Sequence, residues 1–542
     1  MERLTRHEWF TAYIVLAHEI GVSLPDVTGE GGFMAQIDVC NLTFGYEGSF
    51  DNVFDNVSFS IDSNWKLGFI GRNGKGKTTF LNLLLGKYEY TGSITKGPLF
   101  DYFPYKVSSD DMEKSADELV EVWKSGEEYW RIYVELAALG VDGDVMYRPF
   151  KTLSPGERTK VMLSVLFSGE NEFLLIDEPT NHLDRGARDS IKQYLAGKKG
   201  FILVSHDRDL LDACIDHVLV LNRASIEVQT GNFSSWWENK ERADMFAIAE
   251  NEKHQKEIAK LKESAARSKR WAQKNEGTKI GYDPIEEHDR FLDTRAYIGA
   301  KTKKMQSRVK NFEKRIQSEI AEKEGLLNEI EEVTDLKLCT LKYHKERIIE
   351  CKDFSLCYKG QKGAAVQGIS FEVLQGERVF LDGNNGCGKS SIIKAILDRT
   401  GIPSDAKVNY DTTGLLYVAG GLKISYVSQD TTGLVGNLKG YAKENDIDYT
   451  LLLSILRQLD FSRNQFEKNI EELSEGQKKK LLIAASLATP AHIYIWDEPL
   501  NYIDVYSRMQ IEKLIKMYEP TMLIVEHDVR FREMLATKLA CL

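Results

Sequence analysis

The 542-residue sequence predicts an α/β fold that occurs twice in one chain, with an α-helical antiparallel hairpin joining the two copies. Three observations lead to this prediction. Each half of the chain has a glycine-rich loop between an apolar strand and an amphipathic helix. Each loop is followed, at a similar distance, by an apolar strand that ends in Asp-Glu. The segment between the halves has the hydrophobic periodicity of helices.

Four motifs recur in the same order and at similar spacing in the two halves. They read GRNGKGKTT and GNNGCGKSS, LSPGE and LSEGQ, LLIDEPTNHLD and IYIWDEPLNYID, and LVSHD and IVEHD. This repeat predicts domains at residues 35–240 and 338–542, with a linker at 241–337. The sequence before Met34 has no counterpart in the second half. We therefore expect Met34 to be the natural start and residues 1–34 to be an N-terminal extension.

The two glycine loops match the P-loop pattern, in which backbone N–H groups surround nucleotide phosphates. Each loop follows a strand and begins a helix, which is the structural context that this mechanism needs. A plain glycine turn is the alternative, but average composition would not produce two such loops in the same context. The residues predicted to bind ATP are Gly71, Asn73, Gly74, Gly76, Lys77, Thr78 and Thr79 in the first loop, and Gly383, Asn385, Gly386, Gly388, Lys389, Ser390 and Ser391 in the second.

Mg²⁺ ligands and a catalytic base are predicted where the two Asp-Glu strands end. Buried parallel strands read as continuous apolar runs, and ligands lie at their carboxyl ends. Asp177 and Asp497 are predicted to bind Mg²⁺, together with the loop hydroxyls of Thr78 and Ser390. The glutamates that follow, Glu178 and Glu498, are predicted to orient and deprotonate the attacking water.

A histidine follows a later apolar strand in each half. His206 and His527 are placed to bond the γ-phosphate, although a lone histidine is more often structural. Its repeated position after the strand favours the functional interpretation. Together with the loops and carboxylates, these residues predict an enzyme that hydrolyses a nucleoside triphosphate.

Composition excludes several classes of protein. No apolar run reaches the roughly 18 residues that a membrane span needs. The apolar stretch FTAYIVLA near the basic N-terminus is too short, and no small-residue cleavage site follows it. The seven cysteines are scattered and form no zinc-binding pattern. We expect free thiols and a cytoplasmic protein.

The linker predicts two helices with a loop between them. Glycine and proline are almost absent from Phe246 to about Trp271 and from about Leu292 to Val333. Apolar residues recur at spacings of three, four and seven, as in a two-helix coiled coil. In the first helix these residues are Ile258, Leu261 and Ala265, and in the second they are Ile298, Met305, Val309, Phe312, Ile316 and Ile320. The segment between the helices contains Gly277, Gly281 and Pro284, which break helix.

Positive charge is concentrated in the linker although the chain carries a net charge of -11. Lys253–Lys279 has nine basic and three acidic residues, and Lys301–Arg315 has seven basic and one acidic residue. A solvated helix surface is one explanation. Contact with the RNA backbone is the other, because RNA-binding surfaces concentrate lysine and arginine. The predicted RNA-binding residues are Lys279, Tyr282, Lys301, Lys303, Lys304 and Arg308.

These motifs together resemble the ATP-binding cassette (ABC) superfamily, of which LSPGE and LSEGQ look like the signature loop. The resemblance implies that two cassettes pair head to tail within a monomer. Ser474 and Gly476 would then face the first P-loop, and Ser154 and Gly156 would face the second. It also implies that Tyr46 and Tyr358 stack on adenine, and that Gln429 is the Q-loop metal ligand. The first copy has Tyr105 at that position, so we expect two unequal ATP sites.

Tandem cassettes with a charged linker and no membrane domain resemble the ABC-F ATPases, most closely the Lsa/Vga-type antibiotic-resistance branch. That resemblance implies binding to the E-site region of the bacterial ribosome. The linker would approach the P-site tRNA and the peptidyl-transferase centre. Protection against lincosamides, pleuromutilins and streptogramin A compounds would follow. Two alternatives stay open, namely a housekeeping ABC-F translation factor and the ATPase component of a membrane transporter.

Overall fold

The computed structural model describes most of both α/β units and the first helix of the linker. The described residues are 36–47, 52–95, 99–126, 128–169, 172–181, 183–221, 226–277, 338, 340–359, 363–401, 410–461 and 463–542, and nine positions between 303 and 316. We call the two α/β units the first and the second cassette. The predictions for residues 1–34 and for Lys279, Tyr282, Lys301 and Arg308 lie outside the described residues.

The first cassette combines two sheets with helices on both sides. Its strands are β1 (Gln36–Phe44), β2 (Phe54–Asp62), β3 (Lys66–Ile70), β4 (Thr91–Ile94), β5 (Leu99–Phe103), β6 (Glu172–Asp177), β7 (Phe201–Val204), β8 (His217–Leu221) and β9 (Ile226–Thr230). Its helices are α1 (Lys77–Leu84), α2 (Ala116–Trp123), α3 (Tyr129–Ala138), α4 (Pro155–Leu166), α5 (Arg185–Ala196) and α6 (Arg208–Cys214). A long helix, α7 (Phe233–Gly277), leaves this cassette.

The second cassette repeats this arrangement. Its strands are β10 (Arg347–Tyr358), β11 (Val366–Leu374), β12 (Arg378–Asp382), β13 (Tyr410–Val418), β14 (Ile424–Val427), β15 (Ile493–Asp497), β16 (Met522–Val525) and β17 (Lys538–Cys541). Its helices are α8 (Lys389–Thr400), α9 (Leu438–Glu444), α10 (Tyr449–Gln458), α11 (Arg463–Phe466), α12 (Glu475–Ala488), α13 (Val505–Tyr518) and α14 (Val529–Leu535).

A mainly parallel sheet forms the centre of each cassette. Its strand order is β5-β6-β7-β3-β8-β9 in the first cassette and β14-β15-β16-β12-β17 in the second. In each sheet, the strand before the glycine loop pairs with the strand before the histidine, and the Asp-Glu strand lies next to them. Because these strands are parallel, their carboxyl ends meet at one edge, and so do the residues that follow them.

The helix after each glycine loop packs between the central sheet and a three-stranded antiparallel sheet. In the first cassette the small sheet has the order β2-β1-β4. The ring of Phe80 on α1 lies 5.5 to 6.0 Å from the rings of Phe54, Phe59 and Phe69. This apolar contact fixes the start of α1, and therefore the glycine loop, against the sheet edge.

The linker helix α7 has 45 residues, which corresponds to a length of roughly 68 Å. Its first turns are anchored in the first cassette, because Phe233 and Trp236 are buried in that core. The predicted domain boundary at residue 240 therefore falls inside the helix. Further along, Ile258 is buried and Leu261 and Ala265 are partly buried, as the predicted stripe requires.

The returning helix is described at nine positions, and all of them are helical. Ile316 is buried, as its place in the stripe predicts. Phe312 is 42% exposed, so its assignment to the stripe was wrong. Spacing alone cannot fix the rotation of a helix, and a large ring is buried only where a partner surface faces it. The antiparallel pairing of the two helices stays a prediction.

Two further expectations concern thiols and membranes. Six of the seven cysteines fall within the described residues, and each of these six is a free thiol. Within the described part of the chain, no helix carries an apolar stretch of the length needed to cross a membrane.

Candidate ATP-binding and hydrolysis sites

The first glycine loop adopts a conformation that only glycine allows at two positions. Gly74 and Gly76 have φ angles of 77° and 112°. A Cβ atom at Gly76 would lie 2.5 Å from a side-chain carbon of Val53. The loop curls around the Lys77 ammonium, which donates to the backbone oxygens of Gly71 at 2.7 Å and Arg72 at 3.1 Å. The loop thus holds the Lys77 ammonium, a donor that is suited to bind phosphate oxygens.

The second loop has the same geometry. Gly386 and Gly388 have φ angles of 83° and 94°. The Lys389 ammonium donates to the backbone oxygens of Gly383 at 2.7 Å and Asn384 at 2.9 Å. The two predicted P-loops are therefore equivalent in backbone and lysine position.

A tyrosine hydroxyl is hydrogen-bonded to the end of each loop. Tyr46 contacts Thr79 Oγ1 at 2.7 Å, and Tyr358 contacts Ser391 Oγ at 2.7 Å. The ring of Tyr46 is 46% exposed and packs edge-on against Phe44. Each ring is thus held beside its loop, where the proposed stacking on adenine can occur.

The Asp-Glu strands bring a carboxylate to each loop hydroxyl. Thr78 Oγ1 donates to Asp177 Oδ2 at 3.1 Å, and Ser390 hydrogen-bonds Asp497. Burial raises the pKa of both aspartates, to about 6 for Asp497. Asp497 is 2% exposed, and its Oδ1 has no hydrogen-bond partner among the described residues. A hydroxyl beside a buried, incompletely bonded carboxylate fits Mg²⁺, which usually binds few carboxylates together with phosphate oxygens.

The adjacent glutamates differ between the cassettes. Glu498 Oε2 accepts from Gln429 Nε2 and from Asn501 Nδ2, both at 2.8 Å. Glu178 Oε1 is buried without a hydrogen-bond partner among the described residues. The imidazole nitrogen His206 Nε2 lies 3.4 Å from this oxygen. Burial, followed by the charge of Asp177, raises the pKa of Glu178 to about 8.

The strand register places Tyr105 at the position of Gln429. Phe103 pairs with Ile176 and Val427 pairs with Trp496, so each residue in question lies two positions after an equivalent strand end. The ring of Tyr105 stacks on that of Trp123, with 5.1 Å between the ring centroids. Its hydroxyl donates to Asp101 Oδ2 at 2.6 Å. The first site therefore has no amide in the position that Gln429 occupies.

Both histidines lie beside the glutamates. His206 Nε2 is 3.0 Å from Asn73 Oδ1 in the first P-loop, and His527 Nε2 is 3.9 Å from Glu498 Oε1. Burial lowers the pKa of both imidazoles, to about 4 for His527. Neutral imidazoles can donate one hydrogen bond to a phosphate oxygen while accepting another.

The signature loops are the N-terminal caps of α4 and α12. Ser154 and Ser474 each form a capping box with the residue three positions later. In the second cassette, Gly476 lies against the first P-loop. A Cβ atom there would be 3.6 Å from Asn73 Nδ2 and 2.8 Å from the backbone oxygen of Tyr502. Asn73 Nδ2 itself donates to that oxygen at 2.7 Å.

The second side of the interface is less closely joined. His527 and Val529 line a cavity together with first-cassette residues that include Arg188 and Asp207. Gly156 contacts Ala187 of its own cassette. The structure therefore brings Gly476 to the first P-loop. The facing of Ser474 to the first P-loop, and of Ser154 and Gly156 to the second P-loop, stays a prediction.

Three functional features were not identified from the sequence. Asn501 donates to the second glutamate, and its place three residues after Glu498 in a repeated motif could have indicated this. Lys480 and Asp504 form a buried ion pair of 2.7 Å next to the first site. Glu178 and Glu498 both have positive φ angles, 51° and 46°, a backbone conformation that is uncommon for non-glycine residues.

Buried charge holds the cassettes together beside the sites. The Arg208 guanidinium bonds both carboxylate oxygens of Glu512, and both side chains are 4% exposed. Arg530 of the second cassette bonds two aspartates of the first cassette, Asp209 at 2.6 Å and also Asp212. These bonds link α6, next to His206, with α13 and with α14, next to His527.

Comparison with known proteins agrees with this geometry. The sequence matches the family described as ABC transporter over residues 54–181 and 366–501. It is 26% identical over 499 residues to "Ribosome protection protein VmlR" of Bacillus subtilis (strain 168), covering 90% of this chain and 83% of that protein. It is 26% identical over 522 residues to "ATP-binding protein Uup" of Buchnera aphidicola subsp. Acyrthosiphon pisum (strain APS), covering 90% and 78%.

Solved structures support the tandem fold. The archaeal ribosome recycling factor aABCE1, solved with the archaeal ribosomal stalk protein aP1, superposes with a TM-score of 0.56 at 18% identity. The match covers 92% of this chain and 87% of that chain. Two repeated cassettes, each with a P-loop, paired carboxylates and a signature loop, thus form one closed unit. The chain is therefore an ATPase with two tandem cassettes that match the ABC transporter family, an organisation like that of the ABC-F proteins.

Proposed function

We propose that this ATPase binds the bacterial ribosome in its ATP-bound, closed form and is released by hydrolysis. The observation that carries the proposal is the similarity to a protein named for ribosome protection, which spans 90% of this chain. The basic linker supports it, because an acidic chain with two concentrated basic runs has the charge distribution of an RNA-binding protein. We further propose that the protein is cytoplasmic and acts as a monomer.

In the proposed reaction, ATP lies between a P-loop of one cassette and the signature loop of the other. Lys77 and Lys389 would bind the β- and γ-phosphates. Mg²⁺, when bound, would neutralise phosphate charge, held by Thr78 and Asp177 in the first site. Ser390, Asp497 and Gln429 would hold it in the second site.

The base in the second site is Glu498, and its water position is set by the side chains around it. Amide donors from Gln429 and Asn501 fix one carboxylate oxygen and leave the other free to accept a proton from water. His527, neutral because its pKa is lowered to about 4, can donate to the γ-phosphate. Glu178 and His206 would have the same roles in the first site.

The linker is proposed to contact rRNA and the P-site tRNA near the peptidyl-transferase centre while the cassettes occupy the E-site region. Lys253 and Lys260 are exposed on α7, and Lys303 and Lys304 are exposed on the returning helix. The proposed contacts are Lys279, Tyr282, Lys301, Lys303, Lys304 and Arg308. Exposed lysines on a helix that projects from the cassettes can reach phosphates without unfolding either domain.

The finer proposal is protection against lincosamides, pleuromutilins and streptogramin A compounds, as in the Lsa/Vga-type branch. Expression of the chain in a susceptible bacterium should raise the inhibitory concentration of at least one of these drugs. A chain with both P-loop lysines replaced by alanine is the control and should give no protection. Unchanged susceptibility to all three classes, together with ribosome binding, would favour the housekeeping translation factor.

Ribosome binding is tested by co-sedimentation of purified chain with bacterial ribosomes. The Glu178→Gln and Glu498→Gln double variant should accumulate on ribosomes with ATP, because it closes but cannot hydrolyse. The same variant without ATP, and the Lys77→Ala and Lys389→Ala double variant with ATP, should stay in the supernatant. Absence of the double glutamate variant from ribosomes, or recovery of the chain with membranes instead, would overturn the proposal in favour of a transporter ATPase.

RNA contact is tested by reversing four linker charges. Changing Lys301, Lys303, Lys304 and Arg308 to glutamate should weaken ribosome binding and reduce its salt dependence. The matched control reverses four exposed lysines of the second cassette, namely Lys394, Lys443, Lys513 and Lys516. Equal weakening of ribosome binding by both sets of substitutions would show a general charge effect. Unchanged ribosome binding by the linker variant would show that these linker residues are a solvated surface without RNA contact.

A further inference from the structure

The base of the linker helix rests on one aromatic ring of the second cassette. The ring centroids of Trp236 and Trp237 on α7 lie 6.3 and 5.8 Å from that of Tyr506, at the start of α13. Lys240, one turn further along α7, places its Nζ 4.4 Å from the same centroid. A cation at this distance is attracted to the ring. Tyr506 is therefore a contact of the first two turns of the linker helix with the second cassette, in addition to the bond from Arg530 to Ser234.

The same ring is contacted by the first P-loop. The guanidinium carbon of Arg72 lies 5.7 Å from the Tyr506 centroid. Arg72 also forms an ion pair with Asp460 of the second cassette at 3.4 Å. The next residue, Asn73, donates to the backbone oxygen of Tyr502 at 2.7 Å. One short segment of the second cassette thus touches both the first ATP site and the base of the linker.

This segment is also anchored by burial. Val505 is 3% exposed and lies within the apolar core of the first cassette, and Tyr506 and Met509 pack against that core. A segment held in this way moves with the first cassette when the two cassettes are closed. Its position must change when they separate, because its own helix belongs to the second cassette.

The arrangement is confined to one side of the molecule. The repeat aligns Tyr506 with Gly186 and Arg72 with Asn384. Gly186 has no side chain and Asn384 carries no charge, so an equivalent cation–ring contact cannot form at the second P-loop. The contact is therefore specific to the first site, on the side where the linker leaves the first cassette.

We propose that Tyr506 is a positioning residue that couples ATP binding at the first site to the placement of the linker helix. With ATP bound, closure brings Arg72 and Tyr506 together, and α7 packs against the ring in a fixed position. When the cassettes separate, Tyr506 moves with α13, and Trp236, Trp237 and Lys240 lose their contacts with its ring. The inference goes beyond the proposed ribosomal function, and its test contains no ribosome.

The first test is hydrogen exchange of the full chain with and without ATP, in the Glu178→Gln and Glu498→Gln background. ATP should slow exchange in peptides from residues 236–260 and in those from the second signature loop, residues 473–480. Tyr506→Ala should abolish the ATP effect in the linker peptides and leave it in the signature peptides. Tyr506→Phe, which keeps the ring, should behave as the parent chain.

Three outcomes would overturn the proposal. ATP could leave the linker peptides of the parent chain unchanged, or Tyr506→Ala could keep their protection. Loss of protection at both places in Tyr506→Ala would show a general failure of closure. In that case the ring would be an interface residue without a specific coupling role.

The second test uses reciprocity, because coupling must also act from the linker on ATP binding. In a Lys389→Ala background, the second P-loop lacks its lysine, so that ATP binding at the first site is measured. In this background, Lys240→Ala should weaken ATP binding by about fivefold, the low end of typical allosteric coupling. Lys256→Ala is the matched control, because Lys256 is exposed on the same helix and pairs with Glu252 only among the described ion pairs. In a Lys77→Ala background, Lys240→Ala should not change ATP binding at the second site. Equal effects on both sites, or no effect on the first, would overturn the coupling.

Discussion

The two ATP sites have the same backbone and different side chains around the catalytic glutamate. Both P-loops hold their lysine on two backbone oxygens, and both glutamates follow an equivalent strand with positive φ. Glu498 accepts two amide hydrogen bonds, from Gln429 and Asn501. Glu178 receives neither, and its pKa is raised to about 8. The raised pKa favours the protonated form of Glu178, and in that form the side chain cannot accept a proton from water.

Two cassettes with the same fold can therefore have ATP sites with different functions in one chain. Binding depends on the P-loop and signature loop, which the first site has in closed geometry. Hydrolysis depends on a glutamate that is oriented to accept a proton from water, and amide hydrogen bonds from Gln429 and Asn501 orient Glu498 in the second site. We therefore expect the first site to retain ATP and the second to perform most of the turnover.

The interface beside the sites is unequal in the same way. Arg208 bonds Glu512 on one side, and the repeat places Val529 and Lys192 at the corresponding positions on the other. Val529 and Lys192 cannot form an ion pair, and they line the cavity beside His527. The side with the buried ion pair is the one that closes the first site, where Gly476 meets Asn73.

The largest expected effect is on turnover. Glu498→Gln should reduce steady-state ATP hydrolysis by about a hundredfold or more, the range of a lost general base. Glu178→Gln should reduce it by less than about fivefold, because its site contributes little at neutral pH. Phosphate release by both purified variants measures this difference. A reversed order, with Glu178→Gln the more severe, would break the comparison of the sites.

The next effect is on closure. Arg208→Ala should destabilise the closed form by about 3 kcal/mol, because it leaves Glu512 buried without its partner. Lys192→Ala, at the position corresponding to Glu512, should change it by less than about 0.5 kcal/mol, as for most surface substitutions. ATP-dependent closure can be followed by hydrogen exchange at residues 473–480. Restoration by the charge-swapped pair Arg208→Glu and Glu512→Arg would sharpen the assignment, and equal effects of both alanine variants would contradict it.

A smaller effect is expected at the Q-loop position. Gln429→Ala should lower turnover by about tenfold, since it removes a hydrogen bond to a charged group, worth about 1.5 kcal/mol. Tyr105→Phe should leave turnover unchanged, because the hydroxyl of Tyr105 donates to Asp101, which is not one of the predicted catalytic or Mg²⁺-binding residues. The measurement is turnover per chain at saturating ATP. Equal losses in the two variants would show that the Tyr105 position acts in catalysis after all.

The smallest effect concerns pH. In a Glu498→Gln chain, the residual hydrolysis by the first site should rise about fivefold from pH 7 to pH 8, as Glu178 ionises through its raised pKa. A Glu178→Gln chain should lack this rise. The same pKa shift lowers the free energy of unfolding as pH rises from 4.5 to about 8, because the unfolded glutamate ionises first. A flat pH profile for the first site would contradict the assignment.

Much of the fold and of the nucleotide sites could be predicted from the sequence. The glycine loops, the strands ending in Asp177 and Asp497, and the equivalence of Tyr105 with Gln429 follow from motifs whose spacing is repeated. The direction of the Tyr105 ring could not be predicted, because Trp123 and Asp101 reach it only through the packing of the helical subdomain. The donor role of Asn501 and the exposure of Phe312 likewise depend on which surfaces face each other.

The sequence by itself determined that the chain holds two ATP-binding cassettes and a basic helical linker, because local motifs dictate backbone loops and strand ends. Only the folded structure shows which glutamate accepts hydrogen bonds from amide side chains, which side of the interface carries the Arg208–Glu512 pair, and where the linker helix rests. Those properties come from contacts between residues up to several hundred positions apart, such as Asn73 with Tyr502 and Arg72 with Tyr506. Such contacts are set by how the two cassettes close on each other, and no spacing along the chain records them.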